Sequence, residues 1–237
     1  MQDHDDARLS SLLRLTRNVT ARHDLDDVLT ETFRSLRPLV DFGGGSIQLL
    51  DDEGWIQMVA SDPVAPAHVM AQRVPLGTSV AGRVILTEQP IYLADLQLAQ
   101  LPGSNRRISS GVRSYFAVPL VADGRAIGVL QVDASVPNGF SEEQRLLFVS
   151  AAPVVAAAIQ NARAHARAAA ARAHTENAER RAHEARHILG TAQACLEAGD
   201  TLELARQLGR LEQVLGVVAA ETQAGVRLPR QRVAALP

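Results

Sequence analysis

The chain is poor in the residue types on which several function classes depend. It has 237 residues and one cysteine, Cys195. That excludes a disulfide within the chain and a cysteine-based zinc site. Lysine is absent, so all 24 basic residues are arginine, which we read as a coding bias rather than as chemistry. Aromatic residues make up 3%, too few for the stacked-ring platforms that hold single-stranded nucleic acid. The net charge of −2 provides no global basic field, which further disfavours nucleic acid as a partner. No run of about 18 apolar residues occurs, and the N-terminus lacks the charged-then-apolar pattern of a secretory signal. The expected location is the cytoplasm, with no membrane partner. Neither an Asp-x-Gly-x-Gly nucleotide box nor a P-loop occurs. What is present is 46% hydrophobic residues, sufficient for one or two domains with their own cores.

The period of the apolar residues changes along the chain. Over 8–40 it is helical. Leu9, Leu12, Leu13, Leu15 and Val19 share one face, and Asp24 caps a second helix through Val28, Leu29, Phe33, Leu36 and Leu39. Pro38 and the Gly43-Gly44-Gly45 run are expected around its end. Over 46–133 the period shortens. Ser46–Leu50 and Trp55–Ala60 flank an Asp-Glu-Gly turn and predict a hairpin, and Tyr115–Val121 and Ala126–Asp133 flank Asp123-Gly124 and predict another. Thr78 or Ser79 caps a helix over Val80–Thr87, Ile91–Leu93 is a short strand, and 97–110 is a loop with a short helix. From Ser141 the period is helical again, opened by a capping box (Ser141, Gln144) with Phe140 as staple.

Four stretches carry a family resemblance. They are Val74–Val84, the acidic-loop segment Gln89–Asp95, Phe116–Leu120, and Ile127–Asp133. In combination with the element order, residues 25–162 resemble a GAF domain. The resemblance implies an α+β fold, an antiparallel sheet flanked by helices, with a pocket on one sheet face under the loops. The inward candidates for binding an unknown small molecule are Ser46, Gln48, Asp95, Arg113, Ser114, Phe116, Gln131 and Asp133, with Val118 alongside. Arg106, Arg107 and Arg113 offer donors to an anionic ligand. No cysteine lies in this region, so covalent bilin attachment and cysteine-based sulfoxide reduction are excluded. The Asn-Lys…Phe…Asp-Glu signature of cyclic-nucleotide-binding members is missing. The one histidine in the region, His68, reads as a surface residue rather than a haem ligand. No cofactor is expected.

Beyond 162 the chain becomes rich in Ala and Arg. Residues 162–187 hold six Arg, three Glu and four His without Gly or Pro, a polar helix that needs a partner helix. Two heptad seams follow. One runs Ala182, Ala185, Leu189, Ala192, Leu196; after Gly199-Asp200, with Thr201 as cap, the other runs Leu204, Leu208, Leu211, Leu215, Val218. Together they predict an antiparallel helical hairpin, and two copies make a four-helix bundle. The domain plan is therefore an N-terminal helix over 1–24, a GAF-type domain over 25–162, a coiled-coil linker over 163–182, a hairpin over 183–219 and a tail over 220–237.

His183-Glu184-Ala185-Arg186 is similar to the His-Glu-x-Arg of one group of two-component sensor kinases. The distance from His183 to Leu196-Glu197 and Gly199-Asp200 is similar to that in the dimerisation and phosphotransfer hairpin of the sporulation-phosphotransferase and citrate-sensor group. Glu184 stands where that group has Asp, and His187 where it has Asn. The resemblance implies that His183 accepts a phosphoryl group with Glu184 assisting, beside the seam and exposed. It also implies a homodimer and a response regulator or a separate kinase domain as partner. No autonomous kinase activity is expected. Three readings stay open: the sensor and hairpin of a longer kinase, a stand-alone phosphotransfer protein, or a non-catalytic dimeric GAF scaffold. An RNA-binding antitermination module is the rival from another class. Against it, the C-terminal region lacks that module's Ala-Lys-Gly start.

Overall fold

The computed structural model describes residues 2–99 and 111–225. Compactness divides the chain into two units, Met1–Arg167 and Ala168–Pro237. The first is an α+β domain. Its strands are β1 (Gly44–Leu50), β2 (Trp55–Asp62), β3 (Arg73–Pro75), β4 (Ile91–Leu93), β5 (Ser114–Ala122) and β6 (Arg125–Ala134). They form an antiparallel sheet in the order β3-β2-β1-β6-β5-β4. Both hairpins read from the sequence are present. The β5–β6 turn uses Asp123 at φ 49° and Gly124 at φ 73°, the left-handed pair that matches the twist of two strands joined by a two-residue loop. Of the loop with a short helix expected over 97–110, residues 100–110 lie outside the described residues.

Helices α1 (Gln2–Thr20), α2 (Leu25–Leu36) and the first part of α5 (Glu142–Ala198) cover one face of the sheet. Asp24 caps α2 by accepting the N–H groups of Asp26 (2.9 Å) and Asp27 (3.3 Å). Ser141 and Gln144 form the reciprocal capping box that opens α5, at 2.9 and 3.2 Å. Leu15 and Val19 are buried in the same core as α2 and α5, so the N-terminal helix belongs to the domain rather than preceding it. The Gly43–Gly45 run does not end α2. Gly44 and Gly45 open β1 instead, and a side chain at Gly45 would meet the Phe33 ring at 2.9 Å.

The opposite face carries a smaller core under α4 (Val80–Thr87), built on Ile56, Val80, Val84, Ile85, Tyr115, Ala117 and Val129. Ser79 caps α4 by accepting the Gly82 N–H at 3.0 Å. A side chain at Gly82 would lie 2.7 Å from the Gly77 backbone nitrogen, so this glycine lets the helix start close against its own lead-in segment. Two elements were not anticipated. Helix α3 (Ala67–Met70) and edge strand β3 are each too short to impose a readable period.

In the second unit, α5 ends at Ala198, Gly199 turns the chain at φ 74°, and α6 (Thr201–Gly225) follows. Asp200, not Thr201, is the cap, accepting the Glu203 N–H at 3.0 Å. Helix α6 continues past 219 into the stretch read as tail. Helix α5 contains a window with a mean hydropathy of 1.4, half of it buried inside the protein. Its large buried side chains, Leu147, Phe148, Val155 and Ile159, are the ones that pack on the sheet.

Candidate functional site

On the α4-side face, β1, β6 and β5 present a polar row. Strand alternation sends Ser46 and Gln48 of β1 to this face, while Ile47 and Leu49 enter the helix-side core. Cross-strand pairing then sets the row: Ser46 lies opposite Gln131, Gly44 opposite Asp133, and Asp133 opposite Tyr115. The Tyr115 hydroxyl donates to Gln131 Oε1, and Gln131 Nε2 donates to Ser46 Oγ at 2.5 Å. Ser46 and Tyr115 are buried; Gln131, Asp133 and Gln48 are half-buried. On the far side of β1, Ser61 of β2 lies opposite Ser46 and accepts the Ala65 N–H at 2.7 Å.

Burial raises the pKa of both ionisable members. The Tyr115 hydroxyl is pushed up by desolvation and secondarily by the Asp133 charge. Desolvation pushes the Asp133 carboxyl up too, against a hydrogen bond from the Gly44 backbone that holds it down in part.

Asp95 and Arg113 sit at the two ends of the segment between β4 and β5 and bind each other. Arg113 Nε and Nη2 donate to Asp95 Oδ1 and Oδ2 at 3.2 and 2.7 Å. The arginine's hydrogen bonds hold the Asp95 carboxyl below its ordinary range, helped by the Gln97 N–H. The Leu96 N–H to Arg113 carbonyl bond at 2.7 Å closes the same neck. Arg113 is thereby committed to an acid rather than held out toward an anion. Arg106 and Arg107 lie outside the described residues.

Three sequence candidates fall on the other face. Phe116 and Val118 are in the helix-side core, where Phe116 packs on Tyr92, Phe140 and Phe148 with ring centroids 6.0, 6.5 and 5.9 Å apart. Ser114 is buried and accepts the Gly139 N–H at 3.1 Å. The cause is a bulge. Across the Asp123-Gly124 turn, Ala122 pairs with Arg125 and Val121 with Ala126, but Leu120 pairs with Gly128. Ile127 is the extra residue. Beyond it the register has moved by one, so Tyr115 and Ala117, rather than Ser114 and Phe116, share a face with Asp133 and Gln131. Tyr115 is thus the site residue that sequence reasoning missed. Gly128 was the available sign, because a glycine inside a strand pattern marks a bulge or a close approach. Here a side chain would stand 2.3 Å from the Gln48 carbonyl oxygen.

In the second unit, His183 and Glu184 are exposed on α5. The helices meet through buried Ile188, Ala192 and Gln207, flanked by half-buried Ala185, Cys195, Leu204, Leu211 and Val214. The seam keeps Ala185, Ala192, Leu204 and Leu211 of the expected positions, but Ile188, Cys195, Gln207 and Val214 take the places expected for the adjacent leucines. Leu189, Leu196, Leu208 and Leu215 remain 50%, 67%, 47% and 51% exposed, while the Val218 side chain lies outside the described residues. At about 100° per residue, His183 lies about 140° around the helix from Ile188 and about 180° from Ala192. It faces away from the seam rather than beside it.

A family model described as GAF domain matches residues 22–160. The Nif-specific regulatory protein of Herbaspirillum seropedicae is 28% identical over 148 residues, covering 59% of this chain and 27% of that one. The protein of that name from Rhizobium etli is 24% identical over 128 residues, with coverages of 52% and 22%. The chain therefore spans 22–27% of the length of these relatives. Among solved structures, the GAF domain of a phosphoenolpyruvate-protein phosphotransferase from Coxiella burnetii matches with a TM-score of 0.60 at 25% identity, covering 66% of this chain and 95% of that one. Free methionine-R-sulfoxide reductase from Neisseria meningitidis, in complex with its substrate, matches at 0.57 and 22% identity, with coverages of 66% and 90%. That is a likeness of fold.

Proposed function

The chain belongs to the GAF domain family, a family with a sensory and regulatory role, and from that premise we propose that it relays a signal from the sheet face to His183. In this reading a small molecule or a partner acts at the polar face of the domain. The change passes along α5 to a phosphoacceptor hairpin in a homodimer, and a separate kinase domain or response regulator completes the transfer. The observation that carries it is α5 itself. This helix of 57 residues starts with Phe148, Val155 and Ile159 in the domain core and bears His183 and Glu184, exposed, before its end.

A histidine that accepts a phosphoryl group needs a neutral, reachable imidazole nitrogen, and a neighbouring carboxylate favours the imidazolium that develops. Between the core and the hairpin, residues 164–180 are exposed on every side. In a homodimer that stretch pairs with its copy, and its small alanines leave two registers close in energy. Ligand binding then has only to favour one of them. The second reading, a non-catalytic dimeric scaffold, is favoured by the exposed hairpin leucines, which serve pairing whether or not His183 reacts.

The test is transfer from labelled ATP to the whole chain by histidine-kinase ATPase domains encoded in the same genome. The expected product is an acid-labile label that His183→Gln abolishes. Label that survives His183→Gln reassigns the site, and no label from any of these domains leaves the scaffold. Ala168→Leu, Ala171→Leu and Ala178→Leu together should hold one register and fix the output; unchanged signalling and pairing would refute coupling through the coil.

A further inference from the structure

The polar row has a direction, and that direction says what kind of ligand the face accepts. The Tyr115 O–H donates to Gln131 Oε1, and Gln131 Nε2–H donates to Ser46 Oγ. The network runs away from Asp133 and ends on Ser46, whose hydroxyl keeps a proton to donate. No arginine or histidine among the described residues forms an ion pair with Asp133, and Arg113 is held by Asp95.

The strand beside Asp133 is bare. A side chain at Gly44 would stand 2.9 Å from Asp133 Oδ2 and 3.1 Å from Oδ1, so the glycine lets the carboxylate lie flat against the β1 backbone. Around the row the surface is apolar. Leu93 of β4 lies opposite Tyr115 and Ile91 opposite Ala117, and Leu96 packs on the same core. Gly44 and Ser46 are two residues apart on one strand, a rise of about 7 Å. The face therefore offers a half-buried acceptor on β6, a buried hydroxyl on one side of it on β1, and on the other side the Tyr115 ring and the apolar residues of β4.

We propose that this face binds a small molecule with a cationic N–H head, an ammonium, amidinium or guanidinium group, seated on Asp133, and with an apolar or aromatic body directed over Tyr115 toward Leu93 and Ile91 of β4. The proposal rests on reading this face as the sensory one. It replaces the anionic ligand that the arginine-rich loop suggested. An anion here would face an acid that has no ion pair among the described residues, whereas a cation supplies that partner and multiplies its hydrogen bonds. Burial has already raised the carboxyl's affinity for a proton, as expected of an acceptor waiting for a positive donor.

The test uses three probes of one shape and three charges: benzamidine, benzamide and benzoate. Each is titrated calorimetrically into the whole chain. Benzamidine should bind best and benzoate worst. Asp133→Asn should weaken benzamidine by about tenfold or more while changing benzamide little. A thermal melt of the Asp133→Asn protein establishes that it is folded, and Ser46→Ala gives a second variant with a smaller expected loss. Equal or better binding of benzoate overturns the proposal. So does benzamidine binding that Asp133→Asn leaves intact, or no saturable binding of benzamidine. Binding is read directly on the chain, so failure of phosphoryl transfer at His183 leaves this result standing. Failure here likewise leaves the relay to be judged by its own label.

Discussion

The two faces of the sheet are built from the same strands and put to different uses. On the helix side Ile47, Leu49, Phe116, Val118, Leu120, Leu130 and Val132 are buried against α1, α2 and α5 without a polar residue between them on those strands except Ser114. On the α4 side Ser46, Gln131, Asp133 and the hydroxyl of Tyr115 set polar groups against the smaller core to which the Tyr115 ring belongs. A row of polar groups that could have been apolar gives up burial energy. The helix side supplies the stability that permits this, and the α4 side is where the fold departs from what stability alone would choose.

The largest expected effect separates the faces by stability. Phe116→Ala removes a buried ring that touches Tyr92, Phe140 and Phe148, and it should cost about 3–5 kcal/mol in a urea melt. Tyr115→Phe, one residue along on the other face, removes a hydroxyl and its bond to Gln131 but keeps the ring. It should cost about 1 kcal/mol. If the two costs are equal, the faces do not differ as argued.

A smaller loss is expected where the faces share a constraint. Gly128→Ala puts a methyl group 2.3 Å from the Gln48 carbonyl oxygen and 2.7 Å from Leu49 Cδ2, so β1 and β6 must part. Overpacking of this kind costs about 1–3 kcal/mol. Because Gln48 belongs to the polar face and Leu49 to the helix-side core, the variant should also weaken benzamidine binding. Lost stability with undiminished binding would show that the polar row does not depend on the bulge register.

That register is also where the sequence stopped being legible. The hairpins, the caps at Asp24, Ser79 and Ser141 and the turn at Gly199 were readable because each rests on a local residue preference. Which face Tyr115 and Phe116 take depends on one unpaired residue, Ile127, eleven or more positions away. Counting outward from a two-residue turn gives the opposite answer for every residue beyond it. The helical hairpin repeats the lesson. The spacing rightly selects Ala185, Ala192, Leu204 and Leu211, but it also selects Leu189, Leu196, Leu208 and Leu215, whose places in the chain's own contact are taken by Ile188, Cys195, Gln207 and Val214. A heptad pattern marks the apolar positions of a helix without saying which of them meet the neighbouring helix of the same chain.

The smallest effect has the opposite sign and sharpens the comparison most. The folded pKa of Asp133 is raised by burial, above the unfolded value of about 3.9. Below the unfolded value both states are protonated and the residue costs nothing. As pH rises through the folded value, the unfolded state has already released its proton and the folded state must hold a half-buried charge, so stability is lost. Asp133→Asn cannot ionise, and Tyr115, the titratable group opposite, stays protonated across this range because burial raises its pKa too. The variant should therefore melt at a higher urea concentration than the parent at pH 7, with the gain shrinking toward zero near pH 3. Asp95 behaves in the reverse sense. Arg113 lowers its pKa, so Asp95→Asn should destabilise at pH 7, and that loss should fade as pH falls through the lowered folded value. One acid that stabilises and one that costs stability, within the same domain, would mark Asp95 as part of the scaffold and Asp133 as a group kept for what it binds. A destabilising Asp133→Asn at pH 7 would instead make Asp133 a structural partner of Gly44 and remove the distinction between the faces.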